Sequence, residues 1–286
     1  MSSHPAMHYE KLGGGRCKCG LCPHECLISE GGHGRCRVRA NNGGEIFLMN
    51  YAQISGAALD PIEKKPLKRF HPGSFVLSIG SYGCNLSCPF CQNHSISMKK
   101  PQTQECSPDE MAKLAKAYVK DGSIGLAYTY NEPLIGYEYV LDCARKVRDE
   151  GLLNVLVTNG CIKEEPFRNI IRLFDAANID LKGSEGFYKK IGGDARAVKA
   201  NIAEAAQICH VEVTELIIPG ENDSDEEMEE TASFLAGIGK SIPLHITRFF
   251  PNYLYSNRKA TPRETVLRLK AIAEKRLEFV YAGNMA

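Results

Sequence analysis

The chain has 286 residues, 43% of them hydrophobic and 24% charged, with a formal net charge of +1. That is room for one large α/β domain or about two ordinary ones, and it leaves no general attraction to nucleic acid or to anionic membrane. No apolar run approaches the roughly 18 residues of a membrane span, and the start, MSSHPAMHYEK, lacks the apolar core of a secretory signal. Of twelve cysteines, nine fall in the first 106 residues, eight of these in two tight groups. Disulfide frameworks belong mainly to short secreted chains, whereas clustered thiols without an export signal read as metal ligands. A reducing, cytoplasmic compartment is expected.

In chain order, the first group is CKCGLCPHECLISEGGHGRC at 17–36. Cys19, Cys22, Cys26 and Cys36 give C-x2-C-x3-C-x9-C, four soft ligands that suit a closed tetrahedral zinc site or an auxiliary iron–sulfur cluster. Zinc, or a purely structural role, is the reading preferred from the pattern. Cys17, His24 and His33 are spare ligands. A strand is predicted over 45–54, and DPIEKKPLKRFHPGS, with prolines at 61, 66 and 72, reads as a connector. Residues 1–72 therefore form a Cys-rich N-terminal extension, and 73–286 a second unit.

In that second unit apolar strand candidates recur at 74–80, 124–130, 153–158, 177–181, 211–218, 243–249 and 278–282. Helices lie between them. Ser107-Pro-Asp-Glu110, Ser224-Asp-Glu-Glu227 and Thr261-Pro-Arg-Glu264 carry start signals, and the helix at 136–150 stops at Gly151. Strands alternating with helices imply parallel pairing through right-handed crossovers. Seven strands and six helices are too few for a full eightfold barrel, so the fold class is α/β, a partial (β/α)6 TIM-like barrel. Such barrels place chemistry at the C-terminal ends of the strands.

The second cysteine group, YGCNLSCPFCQN at 82–93, follows the first of these strands. Cys84, Cys88 and Cys91 are three thiols where a closed site wants four, which leaves a metal position open for chemistry. On a 4Fe–4S cubane, three thiolates leave one iron without a protein ligand. Phe90 is placed to shield such a cluster from water. A zinc site that borrows His94 is the competing reading.

This CxxxCxΦC loop, together with CxLCPHxC, DPIEKKPL, CNLxCPFCQN, YTYNEP and IPGxND, resembles the radical S-adenosylmethionine (SAM) superfamily. Within it the chain is similar to glycyl-radical-enzyme activases, such as the pyruvate formate-lyase activating enzyme, and more closely to the AmmeMemoRadiSam system radical SAM enzymes. The resemblance covers nearly the whole chain. It implies an enzyme in which SAM chelates the open iron of a 4Fe–4S cluster. An electron from a reducing donor then cleaves SAM to methionine and a 5′-deoxyadenosyl radical, which abstracts hydrogen from the substrate. It also implies association with Amme- and Memo-type proteins, and leaves a protein substrate, a protein partner or a small molecule open.

The same resemblance assigns the strand ends. Glu132 is the acceptor for the SAM amino group, in a stretch where the activases carry Gly-Gly-Glu and this chain has Tyr130, Asn131 and Glu132. Thr158-Asn159-Gly160 matches their Thr-Asn-Gly, and Asp180-Leu-Lys182 their Asp-x-Lys. Lys182 meets the SAM carboxylate, while Asp180 and Thr158 hold a ribose hydroxyl. An activase aspartate is Val157 here, so a cation site is not carried over. Asn93 and His245 match an asparagine and a histidine at SAM. An activase arginine has no counterpart in VEVTELIIPG, where Thr214 or Glu215 lies nearby. Cys106, Cys143, Cys161 and Cys209 are scattered and receive no role. Many close relatives continue with another Cys-Pro-x-Cys segment, which this sequence lacks. Two other classes compete: an iron–sulfur electron-transfer protein, which leaves the strand-end motifs unexplained, and a zinc-dependent binding module, supported only by the basic GRCRVR at 34–39.

Overall fold

In the computed structural model, which describes residues 4–286, all seven apolar runs become parallel strands. They are preceded by one strand that the prolines had disguised. The sheet comprises β1 (Gly56–Pro61), β2 (Phe75–Gly80), β3 (Ser123–Tyr128), β4 (Leu153–Thr158), β5 (Ala176–Asp180), β6 (His210–Ile217), β7 (Leu244–Arg248) and β8 (Val280–Gly283). Strands pair strictly in sequence order, and only β1 runs antiparallel to its neighbour, with Gly56 opposite Gly80 and Pro61 opposite Phe75. The segment expected to be a connector is thus partly a strand. Pro61 sits at its last position and Pro66 and Pro72 beyond it, where no ladder donor is lost.

Helices α1 (Pro108–Ala117), α2 (Tyr137–Asp149), α3 (Glu164–Ile171), α4 (Glu185–Ile191), α5 (Ala195–Ala205), α6 (Asp225–Ile238) and α7 (Arg263–Ala273) cover one face. Ser107 closes a capping box with Glu110 at the start of α1, and Ser224 accepts from the Glu227 N–H at the start of α6. Thr261 does not cap α7. Its hydroxyl is drawn to the Ile217 carbonyl at 2.5 Å and accepts from the Phe249 N–H at 3.2 Å. No helix among the described residues is long and apolar enough to cross a membrane.

The main core lies between sheet and helices, with Leu126, Leu156, Ile179 and Val213 meeting Val147, Ile170, Ile202 and Leu235. A second cluster lies on the other face near the strand starts. There Ile62 and Leu67, from the segment after β1, pack on Val76, Ala127, Val155 and Ala176. The same segment strides across the sheet. The Pro66 carbonyl accepts from Asn178, the backbone N–H groups of Lys68 and Arg69 donate to Glu212, and the Lys68 and Arg69 side chains lie over the rings of Tyr281 and Phe279. It forms a strap across the floor of the open barrel and leaves the strand-end mouth clear.

The N-terminal extension holds short antiparallel strands, among them Cys17–Cys19 paired with Tyr9–Lys11 and Leu27–Ile28. The strand predicted over 45–54 is broken. Glu45–Leu48 and Gln53–Ile54 are separated by a turn in which buried Asn50 donates to the Tyr82 carbonyl and Ala52 is left-handed at φ 58°.

Candidate active site

The loop after β2 is held on every side, which fixes where its thiols lie. The Gly83 N–H donates to Ile96, the Ser87 N–H to Ile191, and the Leu254 and Tyr255 N–H groups to Pro89. Asn85 donates to the Cys161 carbonyl at 2.7 Å and accepts from Asn159 at 2.9 Å. Phe90 is buried between the rings of Phe187 and Tyr255 and pins the loop there. Cys84, Cys88 and Cys91 face a cleft of about 300 Å³ at the C-terminal strand ends. Burial pushes the Cys84 thiol well up, and it pushes Cys88 up to about 11 against the charge of Lys182. Unliganded, these two are thiols, so binding a metal must release their protons.

Opposite the loop, three consecutive residues after β3 reach three different neighbours. Tyr130 donates its hydroxyl to Asp60 at the end of β1 (2.8 Å). Asn131 accepts from the Ser81 N–H and donates to the Gly83 carbonyl, gripping the start of the cysteine loop. Glu132 accepts from the Thr158 hydroxyl (2.6 Å), the Asn159 N–H (2.7 Å) and the Leu134 N–H (3.0 Å) and so ties β3 to the end of β4. Tyr130 has φ 71°, so the left-handed conformation is kept without glycine at roughly 1–2 kcal/mol. The anchor on Asp60 and the Lys65 ammonium 4.6 Å from its ring hold it there. Burial raises the Glu132 pKa to about 7, although its three donors and its ordinary acidity work the other way.

Lys182 and Asp180 pair at 2.8 Å on the far wall. Burial works against the lysine charge, but Asp180 outweighs it and keeps the ammonium protonated. Asn93 donates to the Tyr130 carbonyl at 2.6 Å, and Asn159 approaches the Cys84 sulfur at 3.6 Å. Asn93, Tyr130, Asn131, Glu132, Thr158, Asn159, Asp180 and Lys182 therefore share the cleft with the three cysteines, and Val157 lies among them.

Four expected residues lie elsewhere. His245 is buried below the cleft, 2.5 Å from Glu212, which it shares with His210. Thr214 donates to Asn178, and Glu215 faces the helices. His94 has Nδ1 3.2 Å from the Cys91 carbonyl, and its ring stacks on Tyr253.

Two residues of the cleft were missed. Lys64 and Lys65 enter it from the end of β1. Lys65 is buried and bonds Asp60 at 2.9 Å. Desolvation lowers its pKa against the pull of that carboxylate. Burial opposes the Asp60 charge too, but Lys65 and Tyr130 hold its pKa down at about 2. The charged DPIEKKPL run ahead of the first barrel strand was the available signal, hidden by its prolines.

Among the described residues no three His, Cys, Asp or Glu side chains converge as a single ion requires. A lone zinc needs its sulfurs about 2.3 Å from one centre, whereas a cubane carries them on separate corners. Three thiols on one wrapped loop, with His94 engaged elsewhere, fit a 4Fe–4S cluster with one corner free of protein.

Comparison with known proteins bears on the same residues. A sequence profile described as the Radical SAM superfamily matches residues 78–235, from β2 into α6. An uncharacterised protein of Methanocaldococcus jannaschii is 37% identical over 290 residues, covering 98% of this chain and 85% of that protein. A putative glycyl-radical enzyme activating enzyme of the same organism is 28% identical over 218 residues, covering 70% of this chain and 85% of that one. Among solved structures, a radical SAM methyltransferase from Sphaerobacter thermophilus superposes with a TM-score of 0.56 at 16% identity, over 99% of this chain and 78% of the other, a likeness of fold.

Proposed function

This chain belongs to the radical SAM superfamily, and from that premise we propose that it is an activase-like enzyme whose strand-end cleft binds SAM beside the Cys84 loop. When bound, a 4Fe–4S cluster and SAM supply one-electron cleavage of the sulfonium, yielding an organic radical that removes hydrogen from a second substrate. A carboxylate accepts up to about four hydrogen bonds. Glu132 already accepts three, so its remaining site suits an ammonium. The cations on the two walls, Lys182 and the Lys64–Lys65 pair, suit a carboxylate. Asn93 and Asn131 act as positioning residues, since their amides are engaged with protein. His245 belongs to the floor and not to the SAM contacts. The likeness to a putative glycyl-radical enzyme activating enzyme favours a protein as the second substrate, and a low-potential electron donor is required.

The observation that carries this reading is the meeting of Cys84, Cys88 and Cys91 with Glu132, Asn159 and Lys182 in one cleft. The test is anaerobic reconstitution with iron and sulfide, then dithionite and SAM. Appearance of 5′-deoxyadenosine, abolished by Cys88→Ala, supports it. A colourless protein with zinc between the loop thiols and no SAM cleavage refutes it.

A further inference from the structure

The cleft leaves the N-terminal cysteines without a task. Cys19 ends its strand, and its N–H donates to the Cys26 carbonyl at 2.9 Å. The intervening turn closes from the Glu25 N–H to the Cys22 carbonyl. The chain then returns so that the Arg35 N–H lies 3.4 Å from the Cys26 sulfur. Cys19, Cys22 and Cys36 are buried. Backbone pairing has therefore folded four thiols into one small region, three of them in buried clusters with Leu21, Ile28 and Val38.

An independent observation points to a missing acceptor. Arg39 is 1% exposed and binds Glu138 through Nη1 and the Met7 carbonyl through Nη2, but its Nε–H has no partner. Its charge lies close enough to act on Cys19 and Cys36. A buried N–H without an acceptor costs about 1–3 kcal/mol, and native structures rarely leave one unmet. A thiolate-ligated centre supplies negative charge and sulfur acceptors there.

The group also backs directly onto the Cys84 loop. A Cβ on Gly83 would stand 2.7 Å from the Cys36 carbonyl, and the His24 ring nitrogen Nε2 lies 2.8 Å from the Asn85 carbonyl oxygen.

We propose that Cys19, Cys22, Cys26 and Cys36 bind a second iron–sulfur cluster, fully ligated by protein, packed against the Cys84 loop. The four thiol protons leave as the cluster assembles from iron and sulfide. With no open iron, this centre takes no SAM.

The test uses the full chain carrying Cys84→Ala, Cys88→Ala and Cys91→Ala, reconstituted anaerobically and assayed for iron, acid-labile sulfide and zinc. About two or about four irons with matching sulfide are expected, together with a dithionite-reduced electron paramagnetic resonance signal that SAM does not alter. Cys22→Ser with Cys36→Ser should lose those irons and keep the SAM-sensitive signal. A triple variant that holds zinc and no iron, or no metal, overturns the proposal. Should either variant fail to fold, the wild type decides: iron beyond one SAM-sensitive cluster supports the second centre, and iron for that cluster alone overturns it. If the triple variant keeps its cluster while the wild type shows no SAM-sensitive signal, the SAM reading fails and the second centre stands.

Discussion

Replacing Glu132 with glutamine should flatten part of the pH dependence of stability. The carboxyl is 2% exposed and its pKa is raised to about 7, against 4.5 as the ordinary value. Between those values the folded chain holds a proton that the unfolded chain has released. Stability from this group is thus complete below about pH 4.5 and is lost as pH rises through about 7. A shift of about 2.5 units corresponds to about 3 kcal/mol, at about 1.4 kcal/mol per unit. Glutamine does not titrate, but its amide nitrogen cannot accept as both carboxyl oxygens do, so in acid the variant should lie below the wild type by a constant amount. From about pH 5 to 8 the difference should move in the variant's favour, by up to about 3 kcal/mol. Urea denaturation of the metal-free chain from pH 5 to 8.5 measures the difference, which isolates Glu132 from other groups titrating in the range. Parallel curves would refute the reasoning. They would mean that the Thr158, Asn159 and Leu134 donors outweigh burial and keep the carboxylate charged throughout.

Glu215 poses the same problem with weaker support. Neither carboxyl oxygen has a well-formed hydrogen bond, and burial raises its pKa to about 8 against the pull of the nearby Thr231 hydroxyl. Glu215→Leu should raise the denaturation midpoint most strongly above pH 8, and a midpoint unchanged there would count against a neutral buried acid. Gly83→Ala, at φ 87°, would drive a Cβ to 2.7 Å from both the Cys36 carbonyl and Val38 Cγ1. It should prise the extension from the cysteine loop, and thermal melting together with iron uptake would show whether it does. Tyr130→Phe removes one donor from Asp60 and should cost about 1 kcal/mol. Equilibrium unfolding at neutral pH checks it, and no loss would make the tyrosine hydroxyl irrelevant to the clamp.

The sheet was legible because its information is local: seven apolar runs at crossover spacing admit one arrangement, and Ser107 and Ser224 mark their helices by side-chain chemistry alone. Thr261 shows the limit. It carries the same start signal, but two carbonyl-end strands compete for its hydroxyl and win. The cleft was legible wherever a motif follows a strand directly, as Glu132, Thr158 and Lys182 do. His245 was placed only by likeness to an activase histidine, and likeness of strand position does not fix height in the barrel, where it pairs with Glu212 below the cleft. Lys65 stayed hidden because its role depends on β1 folding back against β2, a long-range pairing that the prolines of DPIEKKPL argue against. The left-handed turn at Tyr130 was unreadable for a related reason, as nothing in a tyrosine announces a conformation that only its distant anchor on Asp60 sustains.

The strap from Ile62 to Phe70 also has a bearing on design. It crosses from β2 toward β8 through one carboxylate, one amide and two cation–ring contacts, with no ladder of backbone pairs. The girth of this half-barrel is set by a clasp and not by a seam. A clasp can be refitted: the run between Pro66 and Pro72 can change length without breaking a ladder of backbone pairs, so the floor of the barrel is free to vary while the strand-end side chains keep their places.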